Sequence, residues 1–188
     1  EQLAEHDQIL LGAVGFPGVP DHVSLWGLLI PIRRAFQQYI NLRPVKLLTG
    51  IESPLKVREG TDIDFLVARE NNEGEYSEAG GRLDRGTEHE VAIQEAVFTR
   101  RGVERASRFA LELATGRAGT LASATKSNGI IHTMPFWDEV VHATAEAYPD
   151  VEVHDYHIDA LAAQFVLDPG RFDVVVASNL FGDILTDL

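Results

Sequence analysis

At 188 residues, with 45% hydrophobic and 24% charged side chains, the chain has the balance of a globular protein able to bury a sizeable core. Its 16 lysines and arginines against 29 aspartates and glutamates leave a formal charge of -13, which repels nucleic-acid phosphates and anionic membrane surfaces. With no cysteine, disulfides and thiolate metal sites are excluded, and a cytoplasmic location is the default expectation.

The N-terminal EQLAEHDQ lacks the basic-then-apolar order of a signal peptide, and no apolar run approaches membrane-spanning length. Apolar, β-branched runs bounded by Gly, Pro or Asp predict strands at ILLGAV (9 to 14), PVKLL (44 to 48), IDFLVA (63 to 68), TLASAT (120 to 125) and FDVVVAS (172 to 178). Several are continuous rather than alternating, as in strands covered on both faces. Helical periodicity at 25 to 40, 101 to 115, 135 to 147 and 158 to 166 completes a strand-helix alternation, so the expected class is α/β. GFPGVPDHV reads as a loop before the first long helix and a hinge. Residues 75 to 99, with glycines at 80, 81 and 86 and the alternating EHEVAIQEAVF, read as an antiparallel arm suited to pairing with another chain. Residue 1 is not Met and Leu188 falls within an amphipathic pattern, so the expectation is a piece of a longer chain.

Chemistry concentrates in a few places. In NLFGDILTDL, helical spacing would point Asp183 and Asp187 along one face after a strand, either as ligands for a hard divalent cation or as solvated carboxylates. Asp159, in a mostly apolar run, reads as a third ligand or as a helix cap. Arg33, Arg43 and Arg69 each sit at an element edge; singly they read as surface ion pairs, and together as grips for a polyanionic small molecule. Lys126, after a strand, can be a salt-bridge residue or a proton acceptor, and Tyr76, after ENNEGE, a packed ring or a proton donor. His132, His142, His154 and His157 lack metal-binding spacing and read as surface or packing residues. Neither GxGxxG nor GxxxxGK[ST] occurs.

The ordered set IRRAFQQYINLRP, RENNEGEY, TKSN, the Asp159 segment and NLFGDILTDL resembles the metal-dependent decarboxylating dehydrogenases of 2-hydroxy acids, the isocitrate/isopropylmalate dehydrogenase family, over essentially the whole chain. VSLWG and GGRLDRGTEHEVAIQEAVFTRRGVERA are most similar to its tartrate dehydrogenase/decarboxylase and D-malate dehydrogenase branch. The resemblance implies a two-domain isopropylmalate dehydrogenase-like fold with a β-arm used for dimerisation. Residues 1-38 would be part of the larger, dinucleotide-side domain and 39-188 the smaller, dimer-forming one. It further implies that Arg33, Arg43 and Arg69 bind substrate carboxylate, Tyr76 and Lys126 handle protons, Asn128 lies near NAD, and Asp159, Asp183 and Asp187 hold Mg2+ or Mn2+. The partners implied are a small dicarboxylate substrate, D-malate or tartrate, with 3-isopropylmalate the alternative, and a second copy sharing the active sites. A catalytically silent dimerisation subunit on the same scaffold is the other reading. Asn72 stands where the family usually has threonine, and the family's N-terminal glycine-rich strand end and most of its dinucleotide loop are not in the sequence, so this stretch alone is expected to be inactive.

Overall fold

The computed structural model describes residues 2 to 56, 58 and 60 to 188. The chain divides into two compact units, one ending at Gln37 and the other Gln38–Leu188.

In the first unit the expected strand at 9 to 14 does not form: Leu10 is fully exposed, and among the described residues no strand pairs with this run. An apolar run without a partner leaves its backbone groups to water, and hydrophobicity alone cannot make it a strand. The helix expected over 25 to 40 begins at His22, is π-helical over His22–Leu29, continues as α1 over Ile30–Ala35 and stops there. Pro31 cannot donate to the preceding turn, so the α-helical register starts afresh with the proline in its first turn.

The second unit holds a five-stranded sheet. Its strands are β1 (Ile40–Lys46), β2 (Asp64–Glu70), β5 (Thr120–Thr125), β6 (Glu152–His157) and β7 (Val174–Ala177), in the order β1-β2-β7-β5-β6. β1 is antiparallel to β2, and the other pairings are parallel. β1 begins four residues before the expected strand and contains Pro44, which an edge position tolerates because no outer neighbour needs its missing N–H. β6 was not visible in the sequence: EVHDYH is polar, as an edge strand can be, whereas the central VVVA of β7 is buried throughout.

Helices α2 (Arg100–Thr115), α3 (Thr133–Ala145), α4 (Ile158–Leu167) and α5 (Asn179–Leu185) connect and follow these strands. The steps β2 to β5 and β5 to β6 move one way along the sheet, and the step β6 to β7 moves back. Right-handed crossovers therefore place α2 and α3 on one face and α4 on the other. The packing agrees, with α2 against α3 and α4 against α5. α2 buries Val103, Ala106, Ala110, Leu111 and Ala114 at helical spacing. In the core, Trp137 is fully buried and satisfies its indole N–H on Ser123 Oγ at 3.1 Å.

The stretch expected to be an arm is a separate antiparallel hairpin, β3 (Gly80–Leu83) paired with β4 (Val91–Gln94). All eight of its strand residues are exposed, including Leu83, Val91 and Ile93. Among the described residues no helix is long and apolar enough to cross a membrane.

Candidate active site at the carboxyl ends of the strands

Strand alternation decides where two neighbouring charges go. Arg69 and Glu70 end β2 and point to opposite faces of the sheet: Arg69 reaches α5, and Glu70 lies 3.6 Å from Arg105 on α2. Arg43 of β1 pairs with Val67, and Asn41 with Arg69, so the two arginines are diagonal neighbours on the α5 face. They meet at one carboxylate. Oδ1 of Asp183 accepts from Arg43 Nη2 at 3.0 Å and from Arg69 Nη1, and Oδ2 accepts from the hydroxyl of Tyr76 at 3.0 Å. Arg43 also donates to Thr186 Oγ1. Burial first, and then the Asp183 hydrogen bond, raises the Tyr76 pKa above the ordinary phenol value, so the hydroxyl keeps its proton at neutral pH.

The loop ENNEGEY brings Tyr76 to this cluster, and its three glutamates are its anchors. The Glu70 carboxylate is buried and accepts from the N–H groups of Asn72 (3.0 Å) and Glu73 (2.7 Å). Burial pushes its pKa up to about 7 despite these bonds. Glu73 accepts from Thr99 N (2.8 Å) and Thr99 Oγ1 (2.7 Å), while Thr99 caps α2 by accepting from Gly102 N at 3.0 Å. Glu75 accepts from Ser178 Oγ (2.7 Å) and Leu180 N (3.0 Å) at the start of α5. Gly74, at a φ of 88°, takes the left-handed conformation between the last two. Asn72, with its amide oriented to satisfy both neighbours, donates to the Gln38 carbonyl at 3.2 Å and accepts from Arg105 at 3.3 Å.

A second cluster forms at the ends of β5 and β6, where Thr125 and His157 are paired neighbours. Lys126 Nζ donates to Asp159 Oδ1 at 2.6 Å. That bond is the leading reason the Asp159 carboxyl lies below its usual range. Asn128 is exposed in the turn that follows Lys126. Both clusters lie at the carboxyl ends of the parallel strands, the edge at which open α/β sheets place ligands. β2 and β5 are two strand spacings apart, roughly 10 Å.

α5 ends at Leu185, and Asp187 lies beyond it, exposed in a turn. Thr186 ends the helix, its hydroxyl turned back onto the carbonyls of Gly182 and Asp183. Among the described residues no group of three or more His, Asp or Glu side chains gathers as a metal site within one chain, so Asp159, Asp183 and Asp187 do not converge there. Arg33 lies on α1, in the unit that ends at Gln37. His142 pairs with Asp155 at 2.7 Å and His154 with Glu152 at 3.3 Å, surface contacts of the kind expected.

Sequence reasoning missed Glu73, Glu75, Asn179 and Gly182. Asn179 Oδ1 accepts from Arg69 Nε (3.0 Å) and Nη2 (2.7 Å), and its Nδ2 donates to the Glu73 carbonyl at 3.1 Å. Gly182 packs against the stem of Arg69. A glycine inside a helical pattern was the available signal.

The family model for isocitrate/isopropylmalate dehydrogenases matches residues 1–188, and the chain belongs to that family. It is 62% identical over 190 residues to a D-malate dehydrogenase [decarboxylating] of Escherichia coli (strain K12), covering 100% of this chain and 53% of that protein. It is 55% identical over 191 residues to a tartrate dehydrogenase/decarboxylase of Pseudomonas putida, covering 100% of this chain and 52% of that one. The chain thus spans about half the length of the curated relatives it matches. Among solved structures, isocitrate dehydrogenase from Methylococcus capsulatus superposes with a TM-score of 0.75 at 34% identity, over 85% of this chain and 46% of that one.

Proposed function

We propose that this chain is part of an NAD-dependent, divalent-metal-dependent enzyme that oxidises and decarboxylates a small 2-hydroxy dicarboxylate, D-malate or tartrate. The observation that carries the reading is the convergence of Arg43, Arg69 and Tyr76 on Asp183, in a chain so similar to decarboxylating dehydrogenases of those acids.

The donor chemistry suits a hard cation. Asp159, Asp183 and Asp187 offer only carboxylate oxygens, and Oδ2 of Asp183 carries one hydrogen bond, leaving it acceptor capacity. Bound Mg2+ or Mn2+ would lower the pKa of the substrate hydroxyl, and bound NAD+ would take up the hydride from C2. The chain's own residues do the rest. Arg33, Arg43 and Arg69 hold the substrate carboxylates and orient C2. Lys126 accepts the proton of the 2-hydroxyl as it becomes a ketone, and Asn128 lies beside the nicotinamide. The bond from C3 to the departing carboxylate then breaks, CO2 leaves without the electron pair, and the enolate left behind takes a proton at C3 from Tyr76.

The reading places Lys126 and Asp159 of one subunit in the site of a second copy. Among the described residues their carboxylate does not gather with Asp183 into a group of three or more possible metal ligands, and the hairpin β3–β4 offers exposed Leu83, Val91 and Ile93 with no further strand on its edges for docking. Residues 1-38 are assigned to the larger, dinucleotide-side domain and residues 39-188 to the smaller, dimer-forming one.

The test is NADH formation by the complete enzyme with D-malate, meso- and L-tartrate and 3-isopropylmalate. A higher kcat/KM for D-malate or tartrate is expected, because bulky Trp26 lies in the π-helical stretch that runs into α1 and Arg33, where it would fill the space a branched substrate needs. A higher value for 3-isopropylmalate would overturn the substrate assignment, and no turnover of any of the four would overturn the reaction.

A further inference from the structure

We propose that Asn179 and Gly182 are positioning residues that fix which end of the Arg69 guanidinium is presented to substrate. The inference rests on the assignment of Arg69 to the substrate carboxylate. A guanidinium can grip a carboxylate through either of two edges, the Nε–Nη2 side or the Nη1–Nη2 end, and a long arginine stem otherwise samples both. Here Asn179 Oδ1 takes the side edge, at 3.0 Å from Nε and 2.7 Å from Nη2, and the Nη1 end faces Asp183.

The amide cannot turn over. Asn179 is 4% exposed, and its Nδ2 donates to the Glu73 carbonyl at 3.1 Å; reversing it would set NH2 against the guanidinium and oxygen against oxygen. An amide also orients the guanidinium without neutralising it, as a carboxylate at this position would.

Gly182 acts on the same stem from α5. A Cβ built there would lie 2.8 Å from both Cβ and Cγ of Arg69, far inside carbon–carbon contact distance. Its φ is not in the left-handed region, and alanine is the better helix former, so conformational freedom does not account for the glycine. What it supplies is room for Arg69 to run flush against the helix.

The experiment uses the full-length enzyme with D-malate at saturating NAD+ and Mg2+, comparing Asn179→Ala, Gly182→Ala, Arg69→Ala and the two double variants that contain Arg69→Ala. Each positioning variant is expected to raise KM about tenfold while kcat falls less than about threefold. In the Arg69→Ala background Asn179→Ala should add nothing and Gly182→Ala less than in the parent, because no guanidinium is left to orient and only the contact with the Cβ of residue 69 remains. Gly182→Ala keeps the Asn179 hydrogen-bonding groups, so it carries the test if Asn179→Ala does not fold. An unchanged KM in the folded single variants, or the same increment on top of Arg69→Ala, overturns the positioning role. An unchanged KM in Arg69→Ala itself would instead overturn the assignment of Arg69 to substrate, and the positioning role with it.

Discussion

Tyr76 donates its hydroxyl hydrogen to Asp183 across 3.0 Å, joining a loop and a helix 107 residues apart in sequence. The bond aims the phenol at the carboxylate that two arginines also address, and the raised pKa keeps the proton on the ring oxygen. Tyr76→Phe keeps the ring against Arg69 and removes only the proton donor. We expect kcat for D-malate to fall about a hundredfold, as loss of a general acid does, with KM within about threefold of the parent. Steady-state kinetics check this; a parental kcat would remove Tyr76 from proton transfer.

Asp187 is exposed beyond the end of α5, so a change of its charge has little packing to disturb. Asp187→Asn should weaken Mg2+ or Mn2+ binding by about tenfold or more while leaving the melting temperature within about 2 °C. Calorimetric titration of the metal into the complete enzyme measures the first and a thermal melt the second. Unaltered affinity would take Asp187 out of the ligand set.

Glu70 makes stability depend on pH. Its folded pKa, about 7, is above the ordinary 4.5, so the folded protein binds more protons than the unfolded chain between those values, and stability falls as pH rises through that window. Below about pH 4.5 both states are protonated and the penalty vanishes; above about pH 7 it is complete, on the order of 3 kcal/mol. Glu70→Gln keeps an acceptor for the N–H of Glu73 and should flatten this dependence. Urea unfolding at pH 5 and pH 8 reads the difference: parent and variant losing stability equally between the two would contradict it.

Two clusters, Lys126 with Asp159 at the ends of β5 and β6 and Arg43, Arg69 and Tyr76 with Asp183, make a shared dimer site testable. Lys126→Ala and Asp183→Asn, each inactive alone, should complement when co-refolded in equal amounts. Half of the dimers would be mixed and each would hold one intact site, so roughly a quarter of parental activity is expected. No recovery despite subunit exchange proven by mass would rule the shared site out.

Much of the architecture was legible because it follows from local pattern. Continuous runs such as VVVA declared strands buried on both faces, and the spacing of Val103, Ala106, Ala110 and Leu111 declared a helix with one buried side. The pattern could not say whether an apolar run finds a partner, which is why ILLGAV forms no strand and polar EVHDYH does.

The chemical types at the site were equally plain in the sequence: arginines for a carboxylate, carboxylates for a hard cation, a lysine and a tyrosine for protons. Their grouping was decided by the tertiary structure. Register between β1 and β2 set Arg43 diagonal to Arg69, and alternation at the end of β2 sent Arg69 to Asp183 and Glu70 to Arg105. The roles of Glu73, Glu75, Asn179 and Gly182 depend on groups distant in the chain, so no local spacing could carry them. A sequence fixes which groups are available and their local periodicity, whereas which of them touch depends on register and packing between segments that fold together only in three dimensions.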